Sequence, residues 1–339
     1  MECIDLLVCV RSFTYNHASY IEDTMNGFCL QNTNFPFVCV IVDDASTDGE
    51  PDVIRNYLQL NFCLENSQTR VEETEDYFFT FARHKDNLNC FFAVYLLKYN
   101  HYRKKDKFQY FREFYNNVKY YALCEGDDYW TDPIKLQKQV EYMEDHPECV
   151  MTHTDVDVIG AMKRNTPRHF DDEPFFGKGN IHPYIIYTLT TVFRKEAYDR
   201  TPKHYLGRNW VMGDGPLWIE LSREGKFHYM DEITGVYRVL PNSASHSTDV
   251  NKIISWWEGS HEIQKFYCEL YGCPYVERDR HELYLNIMKQ CYANHNKEDA
   301  NIYLEKAIKE KCINLKIYLF YFCNVYNQRW IINLLYRLV

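Results

Sequence analysis

Residues 37–49 read FVCVIVDDASTDG. Their first part, Phe37–Val42, is a continuous apolar run rich in β-branched side chains, which is typical of a strand buried on both faces of a parallel sheet. The run ends abruptly at Asp43, and the acidic, serine, threonine and glycine residues after it favour turns. Pro51 follows at a place that suits a first helical turn. This segment therefore predicts a strand, a loop and a helix in succession.

The same succession occurs nearer the N-terminus. Leu6–Val10 is a short apolar run that predicts a strand. Ile21, Met25 and Phe28 recur after it at helical spacing, which predicts an amphipathic helix that ends near Gln31. Strands and helices that alternate at this spacing indicate βαβ units and a parallel sheet.

The rest of the chain continues this pattern as far as about residue 250. Tyr120–Cys124 predicts a strand that runs straight into the acidic loop Glu125–Asp128. Further helices are predicted over 89–99, 133–145 and 214–223, further strands over 149–153 and 190–193, a strand pair over 227–229 and 236–239, and a loop over 160–181. From about Lys252 the pattern is helical. We expect residues 1–250 to form one domain and 251–339 a helical extension.

Composition and charge exclude several classes of protein. The 339 residues carry 38 basic and 48 acidic side chains, so the net charge of −10 argues against a nucleic-acid partner, which needs a basic face. The 13 cysteines include no CxxC pair, which favours reduced thiols in a cytoplasmic protein over disulfides or a zinc site. The acidic N-terminus is unlike a signal peptide, and no run of 18 apolar residues predicts a transmembrane helix.

Two acidic clusters, DDASTDG (43–49) and EGDD (125–128), each follow a predicted strand. In open parallel sheets, ligands bind in the crevice outside the carboxyl ends of the strands. Asp127 and Asp128 are adjacent carboxylates, and a hard divalent cation typically takes one or two carboxylates together with substrate phosphates. Asp44 could accept a hydrogen bond from a base or a ribose. The alternative is that both clusters are ordinary turns with helix caps, because Asp, Ser and Gly favour turns for local reasons.

In four segments the chain resembles the family 2 glycosyltransferases, most closely the bacterial members that build surface polysaccharides. The segments are SFTYNHASYIEDT (12–24), VIVDDASTDG (40–49), YYALCEGDDYWTDPIKLQKQVEYME (120–144) and GDGPLWIELSREGKFHYMDEITGVYR (213–238). The resemblance covers roughly residues 4–245. It implies a GT-A fold, which is a Rossmann-like, mostly parallel sheet flanked by helices, here with a helical C-terminal extension.

The resemblance also implies a donor pocket at the first two strands. Thr14 and Tyr15 would line the nucleotide base pocket together with Asp44. Asn16 and Asp43, next to them in sequence, would belong to the same nucleotide-sugar site. The donor would be a nucleotide sugar, most readily a UDP-sugar.

The second acidic cluster would be the DXD-type motif of the family. Asp128 would bind Mn²⁺ or Mg²⁺, and Asp127 would bind the ribose or the sugar. Asp214 would be the catalytic base, which removes the acceptor hydroxyl proton as that oxygen attacks the anomeric carbon with inversion. The metal would neutralise charge on the departing nucleoside diphosphate. The alternative for Asp214 is an N-cap for the helix after it.

Basic residues are candidates for the donor diphosphate. Arg238 would bind the nucleotide sugar and His246 the metal; the alternative is a sheet-edge arginine and a surface histidine. Arg83 or Lys85 would reach the nucleotide from FFTFARHKDN (78–87). That segment departs from the Asn- and Arg-containing form usual in the family.

The C-terminal segment 317–339 is strongly apolar and aromatic. Ordinary amphipathic packing on the catalytic domain explains such a helix. The alternative is a peripheral contact with the inner face of the plasma membrane, with Arg329 and Arg337 near the headgroups, which would suit a lipid-linked or glycan acceptor.

Two rivals to the enzyme hypothesis come from the same residues. A non-catalytic nucleotide- or sugar-binding module could share the fold, since a fold does not determine a function. The joint presence of Asp44, Asp127, Asp128 and Asp214 argues against it. A nucleotidyltransferase would normally have a glycine-rich phosphate loop near the N-terminus, and the segment Val8–His17 contains no glycine.

Overall fold

The computed structural model describes residues 4–102, 107–160, 186–240, 249–275, 280–312, 314–328 and 331. This part of the chain divides into two compact units. The first contains residues 4–160, 186–204 and 217–238, and the second contains 205–216 and the residues from 239 onward. Most of the predicted loop 160–181, the candidate ligand His246, and Arg329 and Arg337 lie outside the described residues.

The first unit is built on one mixed sheet, in which ten strands are described. The strands are β1 (Val8–Thr14), β2 (Phe37–Asp43), β3 (Arg70–Glu73), β4 (Tyr77–Arg83), β5 (Cys90–Leu97), β6 (Tyr120–Leu123), β7 (Tyr129–Trp130), β8 (Cys149–Ile159), β9 (Val192–Arg194) and β10 (Lys226–Arg238). Their order across the sheet is β3-β4-β5-β2-β1-β6-β9-β8-β10-β7.

Parallel strands form the centre of this sheet. β5, β2, β1 and β6 are neighbours and run parallel. Every residue of β2 is buried, as its apolar run predicts. The register pairs Thr14 with Asp43, so the carboxyl ends of β1 and β2 meet at one edge. The predicted α/β fold is confirmed.

Helices occur in both units. They are α1 (Ile21–Cys29), α2 (Glu50–Asn61), α3 (Arg112–Tyr115), α4 (Lys135–Asp145), α5 (Lys195–Arg200), α6 (Asp214–Leu221), α7 (Val250–Tyr271), α8 (His281–Ala293), α9 (Lys297–Lys309) and α10 (Leu315–Val325). Ile21, Met25 and Phe28 of α1 are fully buried in the core of the first unit, as their spacing predicts.

The predicted helix over 89–99 is wrong. Those residues form β5, which is buried along its whole length between β2 and β4. Its sequence, CFFAVYLL, is apolar at every position, and periodicity cannot separate a buried strand from a buried helix in such a run. The predicted strand pair over 227–229 and 236–239 is likewise one long strand, β10, whose pairing with β8 contains register shifts.

The second unit is helical in its described part and has a core of its own. Side chains of α7, α8, α9 and α10 form this core, among them Trp257, Ile287, Ala300 and Cys323. Asp249 caps α7 by accepting hydrogen bonds from two backbone N–H groups. The expectation of a helical C-terminal part is confirmed. None of the described helices combines the length and the apolarity that a membrane span requires.

Candidate functional site

The carboxyl ends of β1 and β2 are joined by a buried glutamate. Glu50, the first residue of α2, is fully buried. Its carboxylate accepts hydrogen bonds from the Thr14 hydroxyl and, at 2.8 Å, from the His17 backbone N–H. A carboxylate also suits the positive N-terminal end of a helix. Thr14 thus lies where predicted, but its hydroxyl is bound inside the protein.

The loops after β1 and β2 are tied together. Asn16 adopts a left-handed backbone conformation with φ of 57° and donates its N–H to Ser46 Oγ at 2.8 Å. Its own Oδ1 accepts the Thr47 N–H at 2.8 Å. Asparagine tolerates this conformation better than most residues. Asn16 therefore holds the two loops together, and the neighbouring Tyr15 is 45% exposed.

Asp43 and Asp44 have different environments. Asp43 is fully buried, and its Oδ1 has no hydrogen-bond partner among the described residues. Burial raises the pKa of this carboxyl to about 6. Asp44 is also buried, but its Oδ1 accepts the His101 N–H at 2.6 Å and its Oδ2 lies 2.9 Å from Lys107 Nζ. The predicted base-pocket acid is therefore already paired with a lysine.

The acidic loop after β6 packs closely against β1. Glu125 accepts the Phe13 N–H at 3.0 Å and lies 3.6 Å from Arg11, and burial raises the pKa of its carboxyl. A Cβ at Gly126 would lie 2.5 Å from Thr14 Cβ, so only glycine fits there. The Thr24 hydroxyl bridges the carbonyl oxygens of Gly126 and Asp128. These contacts hold the backbone of the two aspartates in place.

The structure brings Asp127, Asp128 and Arg238 together. The Arg238 N–H donates to Asp128 Oδ1 at 2.8 Å, and its guanidinium donates to the Asp127 carbonyl at 2.7 Å. The guanidinium also pairs with Asp23 and lies 4.4 Å from the centre of the Tyr129 ring. Asp128 is only 5% exposed. Its burial and the negative charge of Asp127 hold the pKa of its carboxyl well above the usual range.

The two carboxylates fit a hard divalent cation. Their oxygens are the ligands that Mg²⁺ and Mn²⁺ prefer, and a cation would compensate the negative charges crowded there. The described residues contain no group of three or more His, Cys, Asp or Glu side chains that could hold a metal. The remaining ligands would therefore come from outside this set, as in sites where substrate phosphates and waters complete the shell.

The loop after β1 also approaches the adjacent pair Asp127 and Asp128. His17 Nε2 lies 4.0 Å from Asp127 Oδ2, and the same histidine is held by the Thr14 hydroxyl at 3.2 Å from its Nδ1. One edge of the sheet therefore presents an exposed aromatic ring, a buried acid–lysine pair and two adjacent carboxylates. That combination suits a ligand with a planar ring at one end and phosphates at the other.

Asp214, the candidate catalytic base, lies at the start of a helix. It begins α6, is exposed, and its Oδ1 accepts the Gly215 N–H at 2.9 Å. It belongs to the second unit, whereas Asp127 and Asp128 belong to the first. The predicted start of a helix at this residue is confirmed.

Lys85 does not join the edge where the acids lie. Its Nζ donates to the carbonyl oxygens of Gln59 and Leu60, at the end of α2. Arg83 pairs with Phe91, near the start of β5. It too therefore lies at the end of the strands opposite to the acids. Lys107, which no local sequence pattern marks, is instead a basic residue that contacts one of the acids, with its Nζ 2.9 Å from Asp44 Oδ2.

Comparison with known proteins shows which sequences and folds this chain is similar to. Residues 10–76 match the profile of "Glycosyl transferase family 2". A putative teichuronic acid biosynthesis glycosyltransferase, TuaG of Bacillus subtilis, is 25% identical over 250 residues, which cover 70% of this chain and 81% of TuaG. Over residues 10–76 the chain is thus similar to glycosyltransferase family 2. The recognition made from the four sequence segments is thereby confirmed.

One further sequence relative and one solved structure are also similar to this chain. An uncharacterised protein of Mycobacterium tuberculosis is 30% identical over 256 residues, which cover 74% of this chain. The match spans 64% of that relative, less than two thirds of its length. Among solved structures, the mannosyltransferase PcManGT from Pyrobaculum calidifontis, in complex with GDP-Man and Mn²⁺, superposes with a TM-score of 0.50 at 14% identity, covering 97% of this chain and 81% of PcManGT. This likeness concerns the fold.

Proposed function

We propose that this chain is an inverting glycosyltransferase that moves a hexosyl group from a nucleotide sugar, most readily a UDP-sugar, to a hydroxyl group. The observation that carries the proposal is the cluster of Asp127, Asp128 and Arg238 at the carboxyl edge of the sheet in a chain similar to family 2. Tyr15 and Asp44 lie at the carboxyl ends of β1 and β2, and the base would bind beside them. PcManGT, which shares the fold, is complexed with the same kind of donor and with Mn²⁺.

Each acid has one role in this proposal. Asp128 would hold Mn²⁺ or Mg²⁺, with His246 as a second protein ligand, and Asp127 would bind the ribose or the sugar. The metal would act as a Lewis acid that neutralises charge on the leaving diphosphate. Arg238, whose guanidinium is held beside both aspartates, would supply positive charge at the same place.

The base in this proposal is Asp214. Its exposed carboxylate would take the proton of the acceptor hydroxyl while that oxygen forms a bond to the anomeric carbon. The bond from that carbon to the diphosphate oxygen breaks in the same step, and its electrons leave with the nucleoside diphosphate. No covalent intermediate with the enzyme is needed for inversion.

The domain roles and location are proposed as follows. Residues 1–250 would form the catalytic domain, and 251–339 a helical extension. The similarity to TuaG, a putative teichuronic acid biosynthesis glycosyltransferase, supports an acceptor in surface polysaccharide synthesis, a glycan or a lipid-linked sugar. The described cysteines are free thiols, among them Cys9, Cys39 and Cys124, which supports a cytoplasmic location.

Titration of UDP into the full chain tests the donor part of the proposal. With Mn²⁺ present we expect a dissociation constant at least about tenfold lower than in EDTA, because the cation bridges protein carboxylates and phosphates. Calorimetry measures both, and transfer assays with a panel of UDP-sugars follow. If UDP, GDP, dTDP and CDP all fail to bind with and without Mn²⁺, the donor assignment is overturned. Binding without turnover of any sugar would favour the non-catalytic module.

We further propose that α10 contacts the inner face of the plasma membrane. Four of its residues or flanking residues form an exposed apolar stripe at helical spacing, namely Leu315, Tyr318, Phe322 and Tyr326. Exposed Lys311 and Lys316 lie at the start of the helix. An apolar stripe with lysines beside it suits an anionic bilayer surface.

A flotation assay with phosphatidylglycerol vesicles tests this contact. We expect Phe322→Ser with Tyr326→Ser to lower the floated fraction at least about threefold, because both rings would lose apolar contact with lipid. Leu60→Ser is the control, since Leu60 is an apolar residue on α2 of the first unit that is more exposed than either ring. Equal flotation of the wild type and the double variant would contradict the contact.

A further inference from the structure

The stretch of chain that leads to Asp214 begins with a tight turn. The Arg208 N–H donates to the Tyr205 carbonyl oxygen at 3.3 Å, and Gly207 has a φ of 75°. A positive φ at the third of four turn residues favours glycine. A Cβ on Gly207 would meet no atom of the described chain within 4 Å. The turn therefore presents Arg208, the residue that ends it, at an open and exposed surface.

Two aromatic rings hold the Arg208 side chain. The Cζ of its guanidinium lies 4.2 Å from the centre of the Phe266 ring and 5.0 Å from that of Trp210. The two rings pack edge to face, with their centres 5.4 Å apart. Phe266 belongs to α7, and the Trp210 ring also lies 5.8 Å from that of Tyr267, which is fully buried. Because a cation over an aromatic face is stabilised, the rings limit where the guanidinium can point.

The backbone between Arg208 and Asp214 is packed on the same helix. A Cβ on Gly259 of α7 would lie 2.5 Å from a methyl carbon of Val211, so a larger residue there would displace this side chain. Asp214 follows six positions after Arg208. Their Cα atoms therefore lie at most about 22 Å apart. Both residues are exposed and belong to the second unit, so one acceptor molecule can reach both.

The charge of this stretch suits an anionic ligand. Arg208 is the only charged residue in the sequence between Tyr205 and Gly213. The chain as a whole carries a net charge of −10, which repels acidic molecules. A local positive charge is what such a molecule needs in order to approach the proposed base.

We propose that Arg208 is a specificity-determining residue for the acceptor, which binds an oxyanion, a carboxylate or a phosphate, on the molecule whose hydroxyl group reaches Asp214. The proposal rests on the proposed function, since it assumes sugar transfer to a hydroxyl group at Asp214. A guanidinium carries five N–H donors in a planar fork that matches both carboxylates and phosphates. Paired hydrogen bonds to such a group fix its orientation and add affinity. The acceptor class is therefore an acidic or phosphorylated glycan.

Arg208 could instead only cover the two rings. Long basic side chains commonly shield apolar surface with their stems. In that case its loss would lower the stability of the protein and leave the relative affinities for anionic and neutral acceptors unchanged. A role in acceptor recognition makes the loss depend on the charge of the acceptor, and that dependence separates the two.

Three glycosides that differ only at C6 test the proposal: 4-nitrophenyl β-D-glucoside, the corresponding glucuronide and the 6-phosphate of the glucoside. Ligand-observed NMR titration with the full chain, in the presence of UDP and Mn²⁺, gives their dissociation constants. We expect the wild type to bind an anionic probe at least about fivefold more tightly than the glucoside, since charged hydrogen bonds are added at an exposed place. Whichever anionic probe binds more tightly distinguishes a carboxylate from a phosphate.

Substitutions of Arg208 assign the preference to this residue. Arg208→Gln should bring the preferred probe to within about twofold of the glucoside and leave the affinity for UDP unchanged, because the charge is lost and the donor site is untouched. Arg208→Lys keeps the charge but loses the fork, so it should retain a smaller preference. The melting temperature of each variant checks that it is folded.

Arg280→Gln is the matched control. Arg280 also belongs to the second unit, and its Cζ lies 5.9 Å from the centre of the Trp257 ring, but it pairs with Glu310 at 3.2 Å. This variant should keep the preference of the wild type. If UDP binds, equal affinity for the three probes, no binding of any of them, or a preference that survives in Arg208→Gln would overturn this proposal alone. If UDP does not bind, the donor part of the proposed function fails, and a preference lost in Arg208→Gln would still support the oxyanion site.

Discussion

Asp214→Asn is expected to lower the turnover number by about 10³-fold, because a positioned general base contributes roughly 10²- to 10⁴-fold to a reaction rate. The amide of asparagine cannot take the acceptor hydroxyl proton. It keeps the size of the carboxylate and an oxygen that can accept the Gly215 N–H, which the Asp214 Oδ1 accepts at 2.9 Å. Affinity for UDP should therefore stay within about twofold, since asparagine changes the proton acceptor and little else.

The same variant decides between the base and the helix cap. Asparagine caps helices about as well as aspartate, so a cap alone predicts little change in either turnover or stability. Asp249→Asn is the matched control, because Asp249 caps α7 through two backbone N–H groups and has no proposed role in catalysis. Steady-state transfer of the sugar and thermal unfolding are measured for both variants. Turnover of Asp214→Asn within threefold of the wild type would refute the assignment.

Asp128→Asn is expected to remove the dependence of UDP binding on Mn²⁺. A neutral amide is a much poorer ligand than a carboxylate for a hard cation, and loss of even an outer-shell partner costs 10- to 100-fold in metal affinity. The dissociation constant for UDP with Mn²⁺ should therefore rise by about a hundredfold or to the value in EDTA, whichever is reached first. Calorimetry of both states gives this directly.

The fold should tolerate this second change. Asp128 Oδ1 accepts the Arg238 N–H at 2.8 Å, and an asparagine oxygen can accept it too. Burying a neutral amide beside Asp127 costs less than burying a second charge, so the melting temperature should be unchanged or higher. Asp132→Asn is the control, because Asp132 lies in the same segment but pairs with Lys138 at 3.2 Å. Unchanged dependence on Mn²⁺ in Asp128→Asn would remove Asp128 from the metal site.

Much of the fold was predictable from sequence because its signals are local. β1, β2 and β6 contain short apolar runs, and β2 and β6 are followed by turn-forming acids and glycine. A strand buried on both faces needs no other pattern. α1 and α4 carry their buried residues at helical spacing. The family resemblance then supplied the roles of Asp44, Asp127 and Asp128, which neither composition nor periodicity could assign.

By itself, therefore, the sequence determined three of the four central parallel strands, β1, β2 and β6, and the acids that follow β2 and β6, because those features depend on residues close together in the chain. Only the tertiary structure decided what meets those acids. β5 became a strand because β2 and β4 pair with it on both sides. Lys107 reaches Asp44 from 63 positions away, and Arg238 reaches Asp128 from 110. Such contacts follow from the order of strands in the sheet, and no local pattern of side chains encodes that order.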